Sequence, residues 1–191
     1  MLILICCATH TELKVIKNQI KKADLKTSLS IDYLCTGIGN HETIFALTRK
    51  LSTLQSSEIL ILNIGLCGYQ SDETPPPIVQ IATLEHIDIR REQIVPIFHK
   101  FATFGHLVSS EKPVYSFDRD TQPRYFDMEG YGVVLVAQKL CLPCLLLKIP
   151  FDKIGKETVI FDRELALQKL ANSFDSVYIL SNLLNLDKKT R

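Results

Sequence analysis

The chain has 191 residues, of which 46% are hydrophobic, and its 22 basic and 21 acidic side chains leave a formal charge of +1. That balance excludes a disordered chain and a basic nucleic-acid surface, and no apolar run reaches the roughly 20 residues that a membrane span needs. A chain of this length folds around one core that buries roughly 70% of its unfolded surface, so a single domain over residues 1–191 is expected.

LILICCA at the start is a continuous apolar run, the pattern of a strand buried on both faces. Leu13, Ile16 and Ile20 then recur at near-helical spacing with Lys14, Lys17 and Lys21 outside them, which predicts an amphipathic helix. SIDYLCTGIG reads as a strand and a turn, HETIFALTRKLSTL as a second helix, and EILILNIG as a buried strand ending at Gly65 and Gly68. Three consecutive prolines in SDETPPP exclude both helix and central strand. IVQIATLEHIDI and GHLVSS read as further strands, and the segment from Glu111 to Tyr125 is polar and irregular. DMEGYGVVLVAQKL is predicted helical, CLLLKIP a third buried strand, and RELALQKLANSFDSVYILSNLLNL one long closing helix. The alternation predicts an α/β fold with a mixed, mostly parallel, partly closed central sheet flanked by helices.

MLILICCA lacks a basic leader and is too short for a signal peptide. The six cysteines read as reduced, partly buried thiols, so a cytoplasmic protein is expected. CLPC at 141–144 has the form of a redox dithiol, but it joins a helix end to an apolar strand, where packing is the expected role. The five histidines have no compact ligand spacing, so neither a metal nor a cofactor is expected.

Three acidic residues stand where apolar strands hand over to loops or helices: Glu12, Glu129 and Asp152. Carboxylates in that position collect at the carboxyl edge of a sheet, where open α/β folds place their sites. Three of them suffice to activate water, hold a sugar and protonate a leaving group, which suits cleavage of a glycosidic bond. Each also has a structural role open to it. Thr9-x-x-Glu12 is a capping box, Asp127 and Glu129 suit the start of a helix, and Asp152 suits a turn before Gly155. Gly130 and Gly132 cost a helix about 1 kcal/mol each relative to alanine, so a ligand or a packed neighbour approaches their backbone.

The segments LILICCATHTELKVI, TGIG at 36–39, ILNIGLCG at 60–68, YFDMEGYGVVLVAQKL and LLLKIPFD resemble, in order, those of the purine nucleoside phosphorylase / 5′-methylthioadenosine–S-adenosylhomocysteine nucleosidase family. The resemblance implies that Glu12 orients and activates the attacking water and that Asp152 protonates the purine at N7. It implies that Glu129 binds the ribose hydroxyls with Met128 against the sugar. Phe126, Gly68 and Lys148 complete the implied substrate contacts. An oxocarbenium-like sugar favours such nearby negative charge.

The implied substrate is a small-molecule purine nucleoside or 5′-modified adenosine, with no nucleic-acid or membrane partner. The loop CCATHTE has no glycine or arginine to cradle phosphate and contributes an acid instead, so water is favoured as acceptor. A phosphate-dependent phosphorylase and a noncatalytic nucleoside-binding protein are the alternatives. Leu66 stands where the family carries a small polar residue, Lys148 where it carries arginine, and Phe151 where it carries serine or similar. The chain also reads as short for the family between Gly68 and Ser109. The resemblance further implies a homodimer paired through helices beside the site.

Overall fold

The structure is a computed structural model that describes residues 1–23, 29–56, 58–89, 91–117, 123–155, 158 and 161–190. Strand β1 (Leu2–Cys7), helix α1 (His10–Lys22), β2 (Ser30–Cys35), α2 (Asn40–Leu51) and β3 (Ile59–Gln70) open the chain. β4 (Val79–His86), β5 (Glu92–Ile94), β6 (Thr103–Ser109) and β7 (Arg124–Asp127) follow. The chain closes with α3 (Gly130–Lys139), β8 (Cys144–Lys153), α4 (Arg163–Ser173) and α5 (Ser176–Thr190).

The sheet is mixed and partly closed. β3 pairs with β8, β8 with β4, β4 with β6, β6 with β7, and β7 returns to β3, so five strands form a ring. β1 joins β3 outside that ring and carries β2, both in parallel, and β5 is an antiparallel edge on β4.

Strand periodicity sorts the core into two layers. Leu4 and Cys6 of β1 face one buried cluster with Leu47 of α2 and Val133 of α3, while Ile3, Ile5 and Cys7 face another with Ile16 of α1 and Leu170 of α4. The apolar runs therefore belong to strands covered on both faces, as their sequence indicates. Burying Ile16 contributes roughly 2–3 kcal/mol, and Ile16→Ala would cost about 2–5 kcal/mol with its cavity.

Four expectations need correction. β3 does not end at Gly65 but runs through both glycines to Gln70, because β7 and β8 supply partners on either side. Arg124 and Tyr125 are strand rather than irregular, paired with β3 and β6; residues 118–122 of that segment lie outside the described residues. The helix after β7 starts at Gly130, not at Asp127. The closing helix is two helices: Phe174 is extended (φ −87°, ψ 94°), and Asp175 Oδ1 accepts from Tyr178 N–H at 2.9 Å to start α5.

The helical glycines meet protein. A Cβ on Gly130 would lie 2.4 Å from Leu107 Cδ2, and one on Gly132 would lie 2.7 Å from Asn40 O. α3 can thus press against β6 and the start of α2 only without side chains there. Cys141 is exposed and Cys144 buried, both as free thiols, and burial pushes the Cys144 thiol up to about 12. No helix among the described residues is long and apolar enough to cross a membrane.

Candidate active site

Glu12 is positioned by the helix that it caps. Thr9 Oγ1 accepts from Glu12 N–H at 3.2 Å, and Glu12 Oε2 accepts from Thr9 N–H at 3.0 Å and from Thr9 Oγ1 at 2.8 Å. Its other oxygen, Oε1, accepts from Leu66 N–H at 3.3 Å. A carboxylate has about four lone-pair sites, and these three bonds leave one free. Glu12 is 7% exposed, so its direction is fixed from two elements, α1 and β3.

Asp152 owes its position to an irregularity. β3 and β8 are in register through Cys67 and Pro150, but Tyr69 pairs with Lys153, so β8 carries an extra residue opposite Gly68. Such a bulge re-aims side chains. A Cβ on Gly68 would lie 3.6 Å from Asp152 Oδ2 and 3.3 Å from Ile154 Cγ2, so the glycine keeps that space open. Asp152 is half-buried, and among the described residues its carboxylate has neither a hydrogen-bond donor nor a cation. It is available to a ligand.

Glu129 sits between β7 and α3, buried, and its Oε1 accepts from Gly39 N–H at 3.2 Å. Gly39 has φ +105°, a conformation open to glycine, and it lets the TGIG turn present that donor. Burial pushes the Glu129 carboxyl up to about 7, with the neighbouring Asp127 charge adding to the effect and Lys148 opposing it. A carboxyl poised there changes charge near neutral pH.

Beneath these groups lies a buried charge pair that the sequence did not reveal as a unit. Lys148 Nζ is 2.7 Å from Asp127 Oδ2, and both side chains are 1% exposed. Asp127 also accepts from Ser109 Oγ at 2.7 Å and from Gly130 N–H at 2.8 Å. Burial alone would lower the Lys148 pKa, but Asp127 and Glu129 outweigh it and hold the ammonium above its ordinary value. A Cβ on Gly65 would lie 3.5 Å from Glu12 Oε1 and 3.9 Å from Lys148 Nζ. Gly65 thus lies beside both groups, at distances where a Cβ would make only ordinary contact.

These elements enclose a cavity of about 570 Å³. Glu12, Glu129 and Asp152 all line it, as do Gly68, Phe126 and Met128. Lys148 does not; it lies behind the wall, paired with Asp127, which itself lines the cavity. Phe126 packs edge-on against Phe117 with centroids 5.2 Å apart. Asp127 is the functional candidate that sequence reading placed only as a helix start. A lone lysine inside an apolar strand was its signal, since a buried ammonium requires a nearby carboxylate. No group of three potential metal ligands occurs among the described residues.

No protein-family model matches the chain, and no curated protein matches it in sequence. Solved structures match it in fold: the mixed, partly closed sheet with flanking helices is the nucleoside phosphorylase-like fold seen in nucleosidase structures. A putative 5′-methylthioadenosine/S-adenosylhomocysteine nucleosidase from Borrelia burgdorferi, bound to adenine, matches at 15% identity and TM-score 0.72 over 95% of this chain and 99% of that one. The MTAN of Chlamydia trachomatis matches at 18% identity and TM-score 0.71 over 96% of this chain and 99% of that one. A futalosine hydrolase mutant from Helicobacter pylori matches at 16% identity and TM-score 0.68 over 93% and 98%. At these identities the likeness is one of fold. The near-complete mutual coverage corrects the expectation of a shortened middle segment: against these structures nothing substantial is missing, and residues 69–109 build β4, β5 and β6.

Proposed function

We propose that the chain is a nucleosidase that hydrolyses the N-glycosidic bond of a purine nucleoside or 5′-modified adenosine. The observation that carries this reading is the convergence of Glu12, Glu129 and Asp152 on one cavity. In the proposed reaction the remaining acceptor site of Glu12 takes a proton from water as it attacks C1′, while the C1′–N9 bond breaks. Asp152 delivers a proton to N7, so the base departs neutral and the sugar leaves with the new hydroxyl. Glu129 accepts from the ribose hydroxyls, Met128 and Phe126 pack on sugar and base, and Gly68 leaves room for the leaving base. Lys148 acts from behind, holding Asp127 and moderating the charge at Glu129.

Water rather than phosphate is the acceptor in this reading. The cavity floor is acidic, and the buried cation beneath it is already committed to Asp127, so an inorganic dianion at C1′ would meet repulsion. The proposal takes residues 1–191 as one nucleosidase-like unit in the cytoplasm, in keeping with six free thiols. It includes a homodimer, for which Ile38 at the cavity and Phe45 of α2, 57% and 66% exposed, supply apolar surface. The test is incubation of pure protein with a panel of purine nucleosides, with and without phosphate. Free base and free sugar without phosphate are expected; base release only with phosphate, as a sugar phosphate, would favour the phosphorylase.

A further inference from the structure

Glu12, the base of the proposed reaction, ends a one-way chain of hydrogen bonds. A threonine hydroxyl has one proton to give and two lone pairs to fill. Thr9 Oγ1 donates its proton to Glu12 Oε2 at 2.8 Å and accepts from Glu12 N–H at 3.2 Å. It also lies 3.1 Å from Thr11 Oγ1, and with its own proton spent it is the acceptor there. Thr11 is therefore the donor, and its oxygen accepts from Arg163 Nη2 at 2.9 Å. The order is fixed: Arg163 donates to Thr11, Thr11 to Thr9, and Thr9 to Glu12.

The chain also decides which oxygen of Glu12 meets water. Both lone pairs of Oε2 are taken, by Thr9 N–H and by Thr9 Oγ1. The acceptor site left over is on Oε1, beside the bond from Leu66 N–H. α4 itself gives no reason for the arginine, since a cation in the first turn of a helix opposes the macrodipole. Among the described residues Arg163 pairs with no carboxylate; that of Asp162 caps α4 instead, accepting from Leu165 N–H at 3.0 Å. Thr11 and Arg163 both line the cavity.

We propose that Arg163 is a positioning residue for the hydrolysis, acting on Glu12 through Thr11 and Thr9. The proposal rests on the nucleosidase reading, in which Glu12 takes the proton of the attacking water. The guanidinium occupies the Thr11 oxygen, which keeps the Thr11 proton on Thr9 and the Thr9 proton on Oε2. Donors chained in this way strengthen one another. The carboxylate is thereby held with Oε1 turned to the water. The charge of Arg163 acts the other way, since a nearby cation weakens a carboxylate as a base. That effect is the smaller one, because Arg163 is exposed and solvent screens its charge across two intervening hydroxyls. Without Arg163 the Thr11 hydroxyl is free to turn to solvent, and the direction of Glu12 is less strictly kept.

The test measures kcat and KM for base release from 5′-methylthioadenosine by the parent, Arg163→Gln, Thr11→Val, Thr11→Ser and the double variant Arg163→Gln/Thr11→Val. The backbone amide resonances of Thr9 and Glu12 are followed by NMR in the same proteins. In Arg163→Gln and in Thr11→Val kcat should fall by about three- to tenfold with KM changed by less than about twofold. The double variant should lose no more than either single variant, because both cut one chain. Thr11→Ser, which keeps the hydroxyl, should recover most of what Thr11→Val loses, and both cuts should move the two amide resonances in the same direction. Losses that multiply in the double variant, or a change confined to KM, would show that Arg163 meets the substrate directly and overturn the proposal. Base release by Arg163→Gln at the parent's kcat would overturn it too and leave the nucleosidase reading intact. No base release by the parent, with both resonances responding alike to the two cuts, would support the chain and defeat the nucleosidase reading. Resonances that ignore Arg163 would defeat the chain whatever the activity.

Discussion

Lys148 of β8 and Asp127 at the end of β7 form a 2.7 Å ion pair with both side chains almost wholly buried. The pair joins two strands that each pair with β3, and it underlies the cavity wall where Glu129 emerges. Burying two charges is favourable only when each satisfies the other. Asp127 meets that condition with three donors: the ammonium, Ser109 Oγ and Gly130 N–H.

Removing one partner should therefore cost far more than removing both. Lys148→Met or Asp127→Leu alone is expected to lower stability by about 3–5 kcal/mol, read from denaturant unfolding. The double variant should recover a substantial part of that loss. Additive losses would show that the two charges are not energetically coupled.

Glu129 gives the fold a pH dependence of defined sign. Its carboxyl is raised to about 7 in the folded chain, by burial first and by Asp127 second, whereas in an unfolded chain it ionises near about 4.3. Between those values the folded state holds the extra proton, so this group's stabilisation is complete below the lower pKa and is lost as pH rises through about 7. The loss is on the order of 3 kcal/mol. Glu129→Gln should flatten that part of the stability–pH curve. An unchanged slope in the variant would assign it to another group.

What the sequence made legible was mostly local. The Thr9–Glu12 capping box needs four adjacent residues, and it forms with both of its hydrogen bonds. The long apolar strands announced themselves because covered strands have no polar face. The Asp127–Lys148 pair could not be read in this way, since 21 positions separate the partners and only the shared neighbour β3 brings them together. β7 escaped notice because four residues after a polar stretch carry little periodicity. The break at Phe174 was hidden by apolar spacing that continues across it, although Ser-Phe-Asp-Ser carries the capping aspartate that restarts the helix. The placement of Asp152 at a bulge depends on pairing with β3, which no single segment encodes.

Glu12 carries structure and chemistry together, and two variants separate them. In Glu12→Gln an amide donor must face either the Thr9 donors or Leu66 N–H. A stability loss of about 0.5–2 kcal/mol is expected, with base release lowered by about 10²–10⁴-fold. Thr9→Ala also weakens the cap but keeps the carboxylate, so its rate should fall far less than that of Glu12→Gln. Equal rate losses in the two variants would reduce Glu12 to a cap.

Gly132→Ala tests the contact between α2 and α3. Its Cβ would meet Asn40 O at 2.7 Å, against backbone that a rotamer change does not move. A loss of about 1–3 kcal/mol is expected by thermal unfolding, despite alanine's better helix propensity. A stabilised variant would show that the helices separate readily.

The central claim, that the acids of this cavity cleave a purine nucleoside, is tested most directly by base release from the Asp152→Asn variant. The substitution keeps size and shape but removes the transferable proton, and at a half-buried strand end it should cost under about 0.5 kcal/mol. Release of purine base should fall by about 10²–10⁴-fold. Release of nitrophenolate from a nitrophenyl riboside, whose leaving group needs no proton, should fall by less than about tenfold. Full activity of the variant on the purine nucleoside, or no base release by the parent protein, would contradict the claim.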